Sequence, residues 1–193
     1  MGIAAAGILM AGCVAGGTAK DDRVTNTPDA TKSEGGEGIG GDPSEAMAGM
    51  PNPWSEAGSA TEAATGAGLA SGFVVPDEVV VRRIDFDGPV FQFMDGIAEA
   101  RYEAPASQVI IRKGKVDPSL GSLAGDYNDY EASWTVDLED GVTLACSGHA
   151  KGEAILAEWT VGDDSYSIAC YGLGGEDVPM TEAELTGIAR AVR

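Results

Sequence analysis

Apolar and polar residues alternate along most of the chain after residue 78, and a period of two is typical of β-strands. The predicted strands are 73–76, 79–86, 90–94, 97–103, 108–113, 131–137, 142–147, 154–161 and 165–171. Tight turns separate several of them, and Asp95-Gly96 is the clearest hairpin signal because both residues tolerate a positive φ. The pattern therefore predicts a mostly antiparallel β-sheet.

Two stretches predict helices, and each begins with a capping-box pattern. Residues 59–62 (Ser-Ala-Thr-Glu) precede a short helix expected over 60–65, and residues 181–184 (Thr-Glu-Ala-Glu) precede a second helix near the C-terminus. The second helix has one apolar face, made by Leu185, Ile188, Ala189 and Val192. The order helix, strands, helix predicts an α+β domain over 52–193, with one curved, mostly antiparallel sheet flanked by both helices.

Residues 13–51 are rich in Gly, Asp, Glu, Ser and Thr and contain few large apolar side chains. Such a segment cannot bury enough apolar surface to offset the entropy of ordering it. We expect an acidic, Gly-rich, disordered linker, which as a random coil would reach roughly 35 Å root-mean-square.

The start of the chain resembles the end of a bacterial lipoprotein signal, an apolar run closed by Ala11-Gly12-Cys13. The run is about ten residues, the size of a signal-peptide core and too short to span a bilayer. In lipoproteins the signal is removed before the cysteine, whose amine and thiol carry acyl chains. The resemblance implies a signal segment over 1–12, lipid attachment at Cys13, the bilayer as a partner and a location on the outer face of the cell membrane. The pattern departs from the family because nothing before Lys20 is basic, and an apolar N-terminus with an unrelated cysteine is the alternative.

The chain has 193 residues and a formal net charge of −19. A negative chain repels phosphate backbones, so nucleic acid is not an expected partner. The basic residues are unevenly placed, and the densest group is Arg112, Lys113 and Lys115. This group predicts a contact with an anionic surface, although alternation along a strand separates Arg112 from Lys113. Protection of a sheet edge is the competing explanation.

Cys146 and Cys170 fall on predicted strands, and two explanations stay open for them. An exported protein favours a disulfide. If 154–161 lies between the two strands, however, the cysteines are about 10 Å apart, beyond the roughly 7 Å that a disulfide permits. In that case both are buried thiols.

No stretch predicts catalytic residues, a metal site or a cofactor. His149 is the one histidine, and it lies in a predicted loop without a Gly-x-Ser-x-Gly motif elsewhere in the chain. The oxygen-bearing residues 126–129 do not have the spacing of a calcium loop. Phe91 and Phe93 share one face of a strand and Val90 and Met94 the other, which favours core packing or, alternatively, a strand that lines a cavity.

Residues 125–130 carry the sequence Gly-Asp-Tyr-Asn-Asp-Tyr. It resembles a Gly-Asp-Tyr-Asn-x-Tyr signature in surface lipoproteins of gut anaerobes, whose C-terminal domain has no assigned function. An Ile-Arg-Lys strand precedes that signature and a Val-Thr-Leu strand follows it, as 111–113 and 142–144 do here. The resemblance covers about 52–193 and implies no catalytic residues.

These observations favour a membrane-anchored extracytoplasmic lipoprotein with a non-enzymatic domain that binds a small apolar ligand or another envelope protein. A regulatory or sensor lipoprotein acting on an envelope protein is the alternative, and an unrecognised hydrolase is third. An apolar cavity above about 300 Å³ would favour ligand binding. A flat exposed apolar patch would favour a protein partner.

Overall fold

The computed structural model describes residues 52–115, 121–174 and 177–193. Within them the helices are α1 (Ala60–Gly66) and α2 (Glu182–Ala191). The strands are β1 (Ser55–Ala57), β2 (Val79–Val81), β3 (Ile84–Met94), β4 (Ile97–Ala104), β5 (Ser107–Lys115), β6 (Ala132–Asp137), β7 (Thr143–Gly148), β8 (Glu153–Ala154), β9 (Leu156–Val161), β10 (Asp164–Gly172) and β11 (Met180–Thr181).

Nine of these strands form one open sheet, and its pairs are antiparallel. The order is β1-β3-β4-β5-β10-β9-β7-β6, with β2 also paired to β3, while β8 and β11 form a separate small pair. The prediction of a mostly antiparallel sheet is confirmed. In the sheet, β10, β9 and β7 lie between β5 and β6, although β6 follows β5 in the sequence. The connection from β5 to β6 therefore spans three strands.

The predicted strand 79–86 is interrupted by a tight turn at Arg82 and Arg83. Both residues have a positive φ, 51° and 65°, which is uncommon for side chains of this size. Tertiary contacts hold the turn, since Arg82 donates from its backbone N–H to Glu184 and from its guanidinium to Glu153. The chain therefore reverses, and β2 pairs with the start of β3.

Two other predicted strands differ from the structure. Residues 73–76 form no strand, although Phe73 is buried and the backbone of Val74 pairs with that of Arg193. The predicted strand 154–161 is divided at Ile155, whose N–H and carbonyl bond to β7 and β10. The second half continues as β9.

The two faces of the sheet are buried in different ways. The helix face carries alternate residues such as Ala100, Ile111 and Ile168, which join one apolar core with the buried residues of α1 and α2. Complete burial of a side chain such as Ile111 stabilises the fold by roughly 1.5–3 kcal/mol. The opposite side, the loop face, carries charged and hydroxyl side chains, and residues 121–130 lie across part of it.

No helix in the described ranges is both long and apolar enough to cross a membrane.

Candidate functional site

The predicted lipid-attachment site, Cys13, lies outside the described residues, as do the signal segment 1–12 and the linker 13–51. All three stay predictions.

Cys146 and Cys170 are free and buried, and they lie on strands that are not neighbours. β9 separates β7 from β10, so that Cys146 pairs with Ala157 and Ala157 pairs with Ile168. The sequence left a disulfide and two buried thiols as alternatives, and in the structure both cysteines are buried thiols. Burial chiefly raises the pKa of Cys146 to about 11 and that of Cys170 to about 12, so both thiols are protonated at neutral pH.

The basic cluster is divided between the two faces of β5. Neighbouring residues of a strand point to opposite sides, so Arg112 lies on the loop face and Lys113 on the helix face. Lys113 is 1% exposed and cannot contact an anionic surface, so the predicted contact is wrong for this residue. The other two residues of the cluster differ from Lys113 in burial. Arg112 is half-buried in an ion pair, and Lys115 is exposed at the end of the strand.

Lys113 extends the apolar row of β5 into a polar pocket at the end of the helix face. Its Nζ lies 3.2 Å from the carboxylate of Asp164 and donates to the carbonyl of Gly72 at 2.6 Å. The ammonium also lies 5.0 Å from the centre of the Tyr166 ring, a favourable cation–π distance. A carboxylate, a carbonyl and an aromatic ring together compensate the loss of hydration that burial imposes on the ammonium.

A row of polar side chains crosses the loop face through five adjacent strands. Gln92, Glu99, Arg112, Ser167 and Glu158 occupy consecutive cross-strand positions from β3 to β9. Glu99 is 1% exposed and accepts a hydrogen bond from Nε of Arg112 at 2.7 Å. Charged groups at this depth require partners, and the row supplies them.

The loop 121–130 is anchored to this row at two points. Nη1 of Arg112 donates to the carbonyls of Leu123 and Ala124. Glu158 accepts from the hydroxyl of Ser122 at 2.9 Å and from the amide of Ala124 at 3.3 Å. A cation thus satisfies the carbonyls of the loop while a carboxylate satisfies its donors.

Asp126, in the signature sequence, holds the second half of the loop. Its carboxylate accepts from the hydroxyls of Tyr130 and Tyr171, and from the amide of Asn128 at 2.9 Å. Burial, followed by the influence of Asp126, raises the pKa of both tyrosines, so their hydroxyls stay donors. Asp126 and Tyr130 of the signature therefore have a structural role, in which one carboxylate joins the loop to β10.

His149 lies beside this network on the surface. Its Nε2 is 3.0 Å from a carboxylate oxygen of Asp177, and its ring meets that of Tyr130 edge to face at 6.0 Å between centroids. Among the described residues, no serine, threonine or cysteine forms a hydrogen bond with the imidazole. Among the residues described, no group of three or more metal-ligating side chains converges.

A groove opens on the loop face at the end of the sheet where β5 ends and β10 begins. It consists of two adjoining concavities of about 290 and 370 Å³ that share Gly121, Leu123 and Ser165. We call it the end groove. Its first part is lined by Met94, Asp95, Ile97, Arg112, Lys115 and Tyr127, and its second by Thr143, Ala145, Glu158 and Thr160.

The end groove combines an apolar floor with a polar rim. Met94, Ile97 and Leu123 provide the apolar surface, and Tyr127, 82% exposed, stands at its border. Lys115 has the strand face of Lys113, but as the exposed last residue of β5 it also lines the groove at the end of the sheet. The apolar floor and Lys115 suit a small ligand with an apolar body and a single anionic group, whereas Asp95 and Glu158 in the lining would repel a second anionic group.

The sequence contained a partial signal for this site. Val90 and Met94 share a strand face opposite Phe91 and Phe93, which suggested a strand with two apolar sides. In the structure Phe91 and Phe93 pack against the core, the ring of Phe93 lying against Gly66, whereas Met94 lines the end groove. Leu123 carried no such signal, because its place depends on how the loop docks.

No protein-family model matches the chain, and no curated protein or solved structure is significantly similar to it.

Proposed function

We propose that this protein is an extracytoplasmic lipoprotein, anchored through an acylated Cys13 and a flexible linker, whose domain 52–193 binds a small ligand without catalysing a reaction. The sheet is taken to be curved, with α1 and α2 flanking it. The observation that carries the proposal is the end groove, where apolar residues from three parts of the chain meet beside an exposed cation.

The ligand class follows from the groove. Lys115 would pair with a carboxylate or sulfonate, while the apolar floor would contact a ring or an aliphatic body. Arg112 also lines the groove, but it is half-buried and paired with Glu99 at 2.7 Å, so Lys115 is the exposed cation among the described lining residues.

The chemistry of the described side chains supports a binding role over an enzymatic one. The two thiols are buried and their pKa values are raised, which disfavours nucleophilic catalysis by either of them. His149 pairs with Asp177 on the surface, and neither residue is among those that line the groove. A regulatory role toward another envelope protein is the second candidate, and the free edge described below favours it.

Binding is tested with anilinonaphthalene sulfonate, an aromatic anion of the proposed class, by titrating its fluorescence with the intact protein. We expect Lys115→Glu to weaken binding by about tenfold, equivalent to 1.4 kcal/mol. The matched control is Lys151→Glu, which changes the net charge equally at an exposed turn and should alter affinity by less than about twofold. Equal losses in both variants, or no saturable binding, would refute the site.

The anchor is tested separately by the intact mass of the protein extracted from membranes of its host. A chain that begins at Cys13 and carries acyl mass supports it. An unmodified chain that retains Met1 in the soluble fraction would remove the anchor and leave the groove unaffected.

A further inference from the structure

The strand β6 forms one edge of the sheet and, within the described ranges, has β7 as its only neighbour. The amide of Leu138 donates to the carbonyl of Val142 at 2.7 Å, which continues the ladder of β6 with β7. Hydrogen-bonded and non-hydrogen-bonded pairs alternate in an antiparallel ladder. Val136 and Trp134 therefore bond to β7, and Ser133, Thr135 and Asp137 direct their backbone N–H and C=O away from it.

This edge lacks three of the features that usually prevent strand addition, namely a proline, a lysine and a bulge. Residues 132–137 contain no proline or lysine, and their pairing with β7 is regular over six residues. Natural edges are commonly shortened, bulged or given such residues. The opposite edge fits that rule, because β1 has three residues and Pro53 lies just before it.

The free edge is strongly acidic. Residues 129–140 include Asp129, Glu131, Asp137, Glu139 and Asp140, and no lysine or arginine. A second copy of this chain, with a net charge of −19, would be repelled from such an edge. Charge complementarity instead favours an extended segment that carries several cations.

We propose that β6 is a docking edge for an extended, basic segment of a partner protein, which adds to the sheet as an antiparallel strand. Main-chain hydrogen bonds to residues 133, 135 and 137 would supply affinity. Glu139 already lies 3.4 Å from Arg190, so the other four carboxylates would select for lysine or arginine in the partner. This interaction uses the edge opposite β1 and residues that are not themselves among those lining the end groove.

The probe is a fluorescein-labelled peptide of alternating lysine and valine, and a peptide with glutamate in place of lysine is its control. Fluorescence anisotropy with the intact protein should show saturable binding of the basic peptide that weakens as salt is added, since exposed charges are screened. The acidic peptide should not bind.

Backbone involvement is tested by Thr135→Pro. Proline removes the outward N–H of residue 135 and leaves the bonds between β6 and β7 intact, so an edge strand should accept it. We expect binding of the basic peptide to fall at least about tenfold, which corresponds to 1.4 kcal/mol. Thr135→Val keeps the amide and should bind as the unaltered chain does.

A second measurement does not depend on the folding of the proline variant. Hydrogen exchange of the unaltered protein should slow at the amides of Ser133, Thr135 and Asp137 when the basic peptide is added. Full binding by Thr135→Pro, unchanged exchange at these amides, or equal binding of the acidic peptide would overturn the proposal. So would a homodimer that Thr135→Pro dissociates, since the occupant would then be a second copy.

Discussion

The two faces of the sheet are stabilised by different chemistry although the same strands form both. On the helix face, apolar side chains such as Ile111 pack against two helices. On the loop face, Arg112, the next residue, binds a buried glutamate and two loop carbonyls. Apolar packing tolerates small adjustments, whereas a buried ion pair fails when either partner is removed. Removal of one charged side chain from the loop face should therefore lower the free energy of unfolding the most. The loop face also carries the end groove.

The largest expected effect is that of Arg112→Ala. The substitution leaves Glu99 buried without its cation and releases the carbonyls of the loop, so we expect a loss of about 3–5 kcal/mol in the free energy of unfolding, measured with urea. Arg101→Ala is the control, because Arg101 is partly exposed and lies 3.8 Å from Glu99. It should cost less than about 1 kcal/mol. Equal costs would show that Arg112 has no special role.

Ile111→Ala tests the helix face at the neighbouring position. Ile111 is fully buried, and removal of its side chain should leave a cavity and cost about 2–5 kcal/mol in the free energy of unfolding.

On the loop face, part of the stability lost by removing one charge should be recovered by a second substitution that removes the other charge. Replacing both members of the ion pair, as in Glu99→Gln with Arg112→Met, should recover part of the stability lost in Arg112→Met alone, since no unpaired charge stays buried. A double variant less stable than either single variant would contradict this expectation.

Asp126→Ala tests how much the docking of the loop 121–130 contributes to stability while the Glu99–Arg112 ion pair is left in place. It removes the acceptor shared by Tyr130 and Tyr171, and hydrogen bonds to a charged group contribute about 1.5–3 kcal/mol. Thermal and urea denaturation should both show the loss. Asp129→Ala is the matched control in the same loop, since Asp129 is exposed, and it should change stability by less than about 0.5 kcal/mol. Similar losses in the two variants would mean that Asp126 does not hold the loop.

The smallest expected effect concerns Glu184, in the capping box that begins α2. Burial alone would raise its pKa, but hydrogen bonds from Thr181 and Arg82, with the charge of Arg82, lower it below 4.5. A lowered folded-state pKa stabilises the protein above the unfolded-state pKa, and this contribution is lost as the pH falls through the folded-state pKa. Glu184→Gln should therefore cost up to about 1 kcal/mol at pH 7 and progressively less below pH 4.5. A cost that does not change with pH would refute the role of the charge.

Local pattern was sufficient to predict most of the strands, because period-two alternation depends only on which face is buried. It failed at Arg82 and Arg83, where no glycine, asparagine or proline announces a turn. The contacts that hold this turn come from Glu153 and Glu184, far along the chain. No local rule contains such information.

The candidate site was less predictable for the same reason. A lysine in an alternating strand normally indicates a solvent-exposed position, yet Lys113 lies on the buried face because Asp164, Gly72 and Tyr166 come together around it. The spacing argument for Cys146 and Cys170, in contrast, depended only on one strand lying between them, and the structure has that strand.

We propose that the loop 121–130, anchored by charged residues of the sheet, shapes the end groove so that it binds an amphipathic anion. Hydrogen exchange of the amides of Ala124, Gly125 and Asn128 tests it most directly, in the intact protein with and without anilinonaphthalene sulfonate. We expect these amides to exchange slowly, to exchange more slowly still when the dye is bound, and to lose this protection in Arg112→Ala. Exchange as fast as in an unstructured peptide, or protection that neither the dye nor the substitution alters, would contradict it.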